Sequence, residues 1–251
     1  MNKTVALELL RAGRGNWIPT DYSVRHEIAA ESVVVATDMH IPYHDENLVA
    51  RMLERASAEG VGALWLGGDV LDMPYYSKWD HPDLTATLER DFAILRAFID
   101  AASQVFETIY WTSGNHEARF FRALKLQTGM VGLARLAGLE EYLEDGKLRV
   151  YDDPTITFGS WMFTHPAKYG KTPLSIPGLI ADTHNVNLVS AHAHHFGMGV
   201  SPSGRFWVVE SGGLFKPEYH EYKQRNINDL RPWVQGYWII RKDSPVPIPG
   251  R

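Results

Sequence analysis

Five short segments of this 251-residue sequence concentrate side chains that donate oxygen or nitrogen to a cation. They are Asp38-Met39-His40, Gly68-Asp69-Val70-Leu71-Asp72, Gly114-Asn115-His116-Glu117, the isolated His165, and Ala191-His192-Ala193-His194. Imidazole mixed with carboxylate and amide oxygen suits manganese, iron, zinc or nickel better than calcium or magnesium. Asp38, His40, Asp69, Asn115, His165, His192 and His194 are enough donors for two such ions if one aspartate is shared. That would leave room for solvent and substrate. Singly, each segment has a plain structural reading as a cap, a Gly-Asp turn or a helix start. Together they form a set. His116 is a candidate to act on a substrate instead of a metal, and Glu117 to cap the next helix or fix one tautomer of His116. Two residues apart, Asp38 and His40 share a face if their strand continues, as do His192 and His194. His195 would then point away and is left out.

The elements that must position these residues follow from hydrophobic spacing. Val33-Val34-Val35-Ala36 is a short β-branched run, as expected of a strand buried on both faces. Asp45 can cap a helix reaching about residue 59, with Leu48, Met52, Leu53 and Ala56 on one face and Gly60 and Gly62 to stop it. Residues 61–66 predict a second strand leading into Gly67-Gly68. Leu84, Leu88, Phe92, Leu95 and Ile99 recur at helical spacing, and 108–111 is a third strand. Another helix should follow Glu117 and break near Gly129 or Gly132. Strands are then expected at 148–151, 155–158, 160–164, 186–190, 206–209 and 237–240. The order predicts an α/β sandwich. Each early strand ends in metal-capable side chains, and ligands of open α/β sheets bind beyond the carboxyl ends of the strands.

Bulk properties narrow the function classes. With 45% hydrophobic and 22% charged residues the composition is that of a globular domain. There is no cysteine, which excludes disulfides, thiolate nucleophiles and cysteine-held zinc. The net charge of −5 argues against non-specific nucleic-acid binding by bulk electrostatics, although a local basic patch or bound cations can still attract phosphates. No apolar run approaches the roughly 20 residues of a membrane span. Without a signal-peptide core the expectation is a cytoplasmic protein with no membrane partner. We divide the chain into a lead-in (1–31), a core (32–213) and a C-terminal extension packed on the same domain (214–251).

In order and spacing, the five segments resemble the signature of the calcineurin-like metallophosphoesterase superfamily: D-x-H, G-D-x-x-D, G-N-H-[DE], a lone H and G-H-x-H. The resemblance covers roughly residues 32–213. It implies a four-layer α/β/β/α sandwich and two divalent transition-metal ions, manganese foremost. It also implies that Asp38, His40 and His194 hold one ion, that Asn115, His165 and His192 hold the other, and that Asp69 bridges them. His116 would sit by the leaving-group oxygen, and Asp72 would position His40 or His116. Ala191 stands where the family has glycine. Met73 follows Asp72 where the protein phosphatases have arginine, which argues against that branch.

The chemistry so implied is hydrolysis of a phosphate ester, with DNA or a nucleotide among the candidate substrates. Two cations about 3.5–4 Å apart lower the pKa of a shared water and bind the phosphoryl oxygens. A phosphodiesterase acting on nucleic acid or nucleotides is the first expectation. A phosphomonoesterase or nucleotide pyrophosphatase is the second, and a non-catalytic interaction module on the same fold is the third. Lys168, Lys171 and Lys216, with His44 and the aromatic stretch Tyr75-Tyr76-Ser77-Lys78-Trp79, are candidates for the rim of the site.

Overall fold

Valine-rich and aromatic strands that are apolar on both sides can only be stable between two other layers, and the computed structural model shows that arrangement. It describes residues 26–76, 87–125, 128–219 and 233–250. In chain order the strands and helices are β1 (His26–Glu27), β2 (Ser32–Ala36), α1 (Glu46–Glu59), β3 (Ala63–Gly67), α2 (Leu88–Ser103), β4 (Thr108–Thr112), α3 (Asn115–Leu124), α4 (Gly129–Leu136), α5 (Glu140–Glu144), β5 (Leu148–Tyr151), β6 (Thr155–Phe158), β7 (Trp161–Thr164), α6 (Ser175–His184), β8 (Asn187–Ser190), β9 (Phe196–Val200), β10 (Trp207–Ser211), β11 (Gly236–Arg241) and β12 (Ser244–Pro249). Short 3-10 turns occupy Pro74–Tyr76 and Pro217–Tyr219.

The strands form two six-stranded sheets. The first has the order β12-β11-β2-β3-β4-β5, with β2 to β5 parallel and β11 antiparallel to β2. The second has the order β1-β6-β7-β8-β10-β9, with β7, β8 and β10 parallel. Alternation along each strand sorts the side chains into three apolar layers. Val34, Ala36, Leu64, Leu66, Ile109 and Trp111 face α1 to α4. Val33, Val35, Trp65 and Tyr110 face Phe158, Trp161, Phe163, Val189 and Val209 of the other sheet. Met162, Leu188 and Val208 meet Ala181 of α6. The molecule is therefore the expected four-layer α/β/β/α sandwich.

Where sequence signals were local, the elements match them. Asp45 accepts the Leu48 N–H at 2.9 Å as N-cap of α1, and Gly60 ends that helix with φ of 60°. Other elements differ. Helix α3 stops at Lys125; Gly129 opens α4, and Gly132 lies inside it. Helix α6 carries Pro177-Gly178, a pair that reads as a turn. Proline is tolerated in a first turn, where its N–H would have no partner. Gly178 is needed because a Cβ there would lie 2.8 Å from Pro202 Cδ. Strand β12, Ser-Pro-Val-Pro-Ile-Pro, also escapes a periodicity reading, since proline is confined to sheet edges. Its prolines alternate, and the residues between them direct their N–H toward β11, as Gly250 does to Gln235 O at 2.9 Å. Of the lead-in, residues 1–25 lie outside the described residues. No helix among the described residues is long and apolar enough to cross a membrane.

Candidate metal centre

The segments that carry the donors all leave the same end of the two sheets. Asp38 and His40 follow β2, Asp69 follows β3, Asn115 and His116 open α3 after β4, His165 follows β7, and His192 and His194 follow β8. Beyond the sheet, the loops after β2 and β3 still run side by side: Asp38 N–H donates to Gly68 O, His40 N–H to Asp69 O and Ile41 N–H to Val70 O, at 3.2, 3.0 and 2.8 Å.

The expectation that strands simply run on is corrected here. Asp38, His40, Asp69, His192 and His194 all have positive φ, of 51°, 51°, 49°, 77° and 58°. The left-handed region costs a non-glycine residue of the order of 1–3 kcal/mol, so it persists only where surrounding contacts enforce it. Asp38 and His40 meet because two left-handed residues flank Met39, not because a strand alternates. His192 and His194 do not share a target: His192 joins Asp69 and His165, whereas His194 joins Asp38 and His40.

Two clusters result, each with donor atoms within 4.8 Å of one another: Asp38, His40 and His194, and Asp69, His165 and His192. In the first, the Nε2 atoms of His40 and His194 lie 3.2 Å apart and His194 Nε2 is 3.3 Å from Asp38 Oδ1. In the second, His165 Nε2 is 3.0 Å from Asn115 Oδ1 and 3.4 Å from Asp69 Oδ2. Asp69 also accepts the His116 backbone N–H at 2.8 Å through Oδ1. Its charge raises the pKa of His40 in one cluster and of His165 in the other.

The outer contacts aim these atoms. His40 Nδ1–H donates to Asp72 Oδ1 at 2.8 Å and His165 Nδ1–H to Gly67 O at 2.8 Å, so each ring turns its Nε2 into its cluster. Two imidazole nitrogens 3.2 Å apart can share only one proton, whereas a cation accepts both lone pairs. The donor set therefore fits metal ligation. Asp72 serves two rings, because its main-chain oxygen accepts His116 Nδ1–H at 2.6 Å. A third grouping, His40, Asp72 and His116, is this hydrogen-bonded arrangement.

Electrostatics follow from burial and mutual charge. Burial opposes the charged ring of His165, but the Asp69 carboxylate, with Asp38 and the Gly67 carbonyl, outweighs it and raises the pKa to about 10. Burial, reinforced by the charge of His165, lowers His192 to about 4. Burial raises Asp38, yet the hydrogen bond and charge of His194 bring it below the ordinary carboxylate range. Burial also holds His116 below the usual value, with His40 and Arg119 acting against the pull of Asp69 and Asp72.

Sequence reading placed other residues less well. Glu117 does not touch the His116 ring. Its buried carboxylate accepts the backbone N–H groups of Asp69, Val70, Leu71 and Gly114 at 2.9–3.3 Å, capping α3 and clamping the Asp69 loop at once. Gly68 and Gly114 let these loops touch: a Cβ on Gly68 would lie 2.7 Å from both Gly114 Cα and His165 Nδ1. His195 does point away, to Glu210 at 3.2 Å. Lys216 is ion-paired with Glu46. Tyr75 donates to Asp91 Oδ2 at 3.0 Å, while Ser77, Lys78 and Trp79 lie outside the described residues. Arg119 joins the site without belonging to any of the five segments: it is three residues from His116 on a helix, and its guanidinium donates to His116 Nε2 at 3.2 Å.

No protein-family model and no curated protein matches this sequence. Among solved structures, the chain is similar to Vps29 from Chaetomium thermophilum, at 13% identity over 84% of each chain with a TM-score of 0.45. It is similar to Vps29 from Entamoeba histolytica complexed with zinc, at 11% identity over 88% of this chain and 99% of that one, TM-score 0.43. It is also similar to the Pseudomonas putida nuclease MPE, at 14% identity over 86% of this chain and 87% of that one, TM-score 0.40.

Proposed function

We propose that the protein is a dinuclear metal-dependent phosphoester hydrolase, acting as a phosphodiesterase on nucleic acid or nucleotides. One observation carries the reading: two imidazole–carboxylate clusters with Asp69 acting on both, their buried ring nitrogens oriented by Asp72 and Gly67 O. Asp38, His40 and His194 would hold one divalent transition-metal ion, and Asn115, His165 and His192 a second. Asp69 would be shared, and manganese is the first candidate metal. Two bound ions would supply Lewis-acid activation of water and the positive charge that offsets a phosphoryl anion.

The chain's own groups do the rest. Asp38, His40, Asp69, His165 and His194 are buried, whereas Asn115, His116 and His192 reach the surface. The ester must therefore enter on the side of those three. His116, its Nδ1–H fixed on Asp72 O, exchanges protons only at Nε2, the atom to which Arg119 donates; protonated there, it would stabilise or protonate a departing oxygen. The test is elemental analysis of the reloaded protein, then turnover of bis-p-nitrophenyl phosphate and p-nitrophenyl phosphate in that metal. We expect two ions per chain, diester cleavage, and loss of one or both ions together with turnover in Asp69→Asn. Cleavage of the monoester alone would make it a phosphomonoesterase. No turnover with both ions bound would leave an interaction module.

A further inference from the structure

The open side of the centre carries more than donors. Residues 166–173 connect His165 to α6, and in this loop Tyr169 sets its ring edge-on to His192, centroids 5.1 Å apart, while remaining 52% exposed. A tyrosine that touches a site residue and still shows half its surface to water is not a core side chain. Lys168 and Lys171 flank it, both exposed. The loop is tied down: Ser175 Oγ donates to Thr172 O at 2.6 Å, Leu174 N–H to Glu210 Oε2 at 2.7 Å, and a Cβ on Gly170 would lie 2.4 Å from Ser175 Oγ. Beside the other cluster, the Arg119 guanidinium lies against His116. In a chain of net charge −5, the two lysines stand beside the tyrosine that touches His192, and the arginine against His116.

We propose that Tyr169, Lys168 and Lys171 form a binding rim for a single-stranded polynucleotide, one base stacking on Tyr169 and the adjacent phosphates meeting the lysines. Arg119 would receive a phosphate on the other side of the scissile one. This rests on the phosphodiesterase reading and extends it from the reacting ester to its neighbours. An exposed aromatic face stacks on any base, so recognition would tolerate sequence. Bases of a duplex are stacked on each other and offer Tyr169 no face. A mononucleotide would engage only part of this set; a strand that crosses the site could meet Arg119 as well as the lysines.

The experiment uses the full chain, metal-loaded, with a mixed-sequence single-stranded DNA or RNA 12-mer, the same sequence as duplex, a dinucleoside monophosphate and bis-p-nitrophenyl phosphate. Wild type should prefer the single strand. Tyr169→Ala should raise KM for the 12-mer about ten-fold more than for bis-p-nitrophenyl phosphate, and Tyr169→Phe, which keeps the ring, should restore it. Lys168→Ala with Lys171→Ala should flatten the salt dependence of 12-mer binding by a slope of about 1.4, two phosphate contacts on a single strand. Equal losses on both substrates, preference for duplex or for the dinucleoside monophosphate, or an unchanged salt slope would overturn the proposal. If no diester is cleaved at all, the phosphodiesterase reading has failed. Fluorescence anisotropy of the labelled 12-mer with the same variants then still decides the rim.

Discussion

At the residue scale, the rings of His40, His116 and His165 are oriented by carbonyl and carboxylate contacts outside the two clusters. His116 can gain a proton only at Nε2, because Nδ1–H is committed to Asp72 O. Positioned acids contribute about 10²–10⁴-fold. His116→Ala should therefore lose activity in that range on an alkoxide leaving group and far less on p-nitrophenolate, which departs without a proton. Equal loss on the two would remove the acid role. His165 supplies a pH signature. Its pKa, raised to about 10 by Asp69 against burial, means the ring is protonated at neutral pH in the metal-free protein. A metal must displace that proton, so apparent affinity should rise about ten-fold per pH unit below 10, with proton release on binding. For the apoprotein the sign is the opposite: a raised folded-state value stabilises fully below the unfolded value of about 6.5, and that share is lost as pH climbs through 10. Calorimetric titrations in buffers of different ionisation enthalpy read the released proton, and a flat affinity from pH 6 to 9 would contradict it. The donor identities were legible in the sequence because carboxylate and imidazole announce themselves. Their division between two clusters was implied by the family resemblance and not by strand periodicity, because left-handed backbone at Asp38, His40, His192 and His194 redirects side chains that alternation would have aligned.

At the element scale, the site depends on a turn-to-helix clamp. Glu117 gathers four N–H groups from the loop after β3 and the start of α3, with burial and Asp69 pushing its carboxyl up to about 7. Glu117→Gln turns an amide N–H₂ toward backbone donors. It should lower stability by about 1–3 kcal/mol, the cost of unpaired buried polar groups, and weaken metal binding in parallel. Denaturant midpoints together with a metal titration check this, and a variant equal to wild type in both would show the clamp to be dispensable. Strand β2 and helix α1 could be read from β-branching, an Asp cap and a Gly stop, all local signals. Helix α6 could not, since Pro177-Gly178 looks like a turn until Pro202 is seen packed on it. The double duty of Glu117 was hidden for the same reason: three of its four partners lie 46–48 residues away in the chain.

At the scale of the whole molecule, the two sheets are held by an aromatic interlayer that also supports the centre. Trp65 is fully buried between them, its Nε1–H donating to Thr112 Oγ1 at 3.1 Å and its ring 5.0 Å from Phe163. A Cβ on Gly67 would lie 2.6 Å from the Trp65 ring, so the indole abuts the residue that leads into the Asp69 loop. Trp65→Ala should cost about 3–5 kcal/mol, read as a lower denaturant midpoint at unchanged slope. A loss below 1 kcal/mol would mean the layers do not depend on it. The sandwich class was legible from strand and helix order. The sheet order was not, because β11 takes its place beside β2 through pairings some 200 residues apart, Trp238 with Val35 and Ile239 with Val34, which no local pattern records. The prolines of β12 have a consequence for solutions of the protein. Pro245, Pro247 and Pro249 occupy the outward-facing positions, so this border presents carbonyl oxygens and no amide hydrogens to a passing chain. A stranger's strand would find every second bond unanswered, and filament growth along this margin is blocked at its first rung.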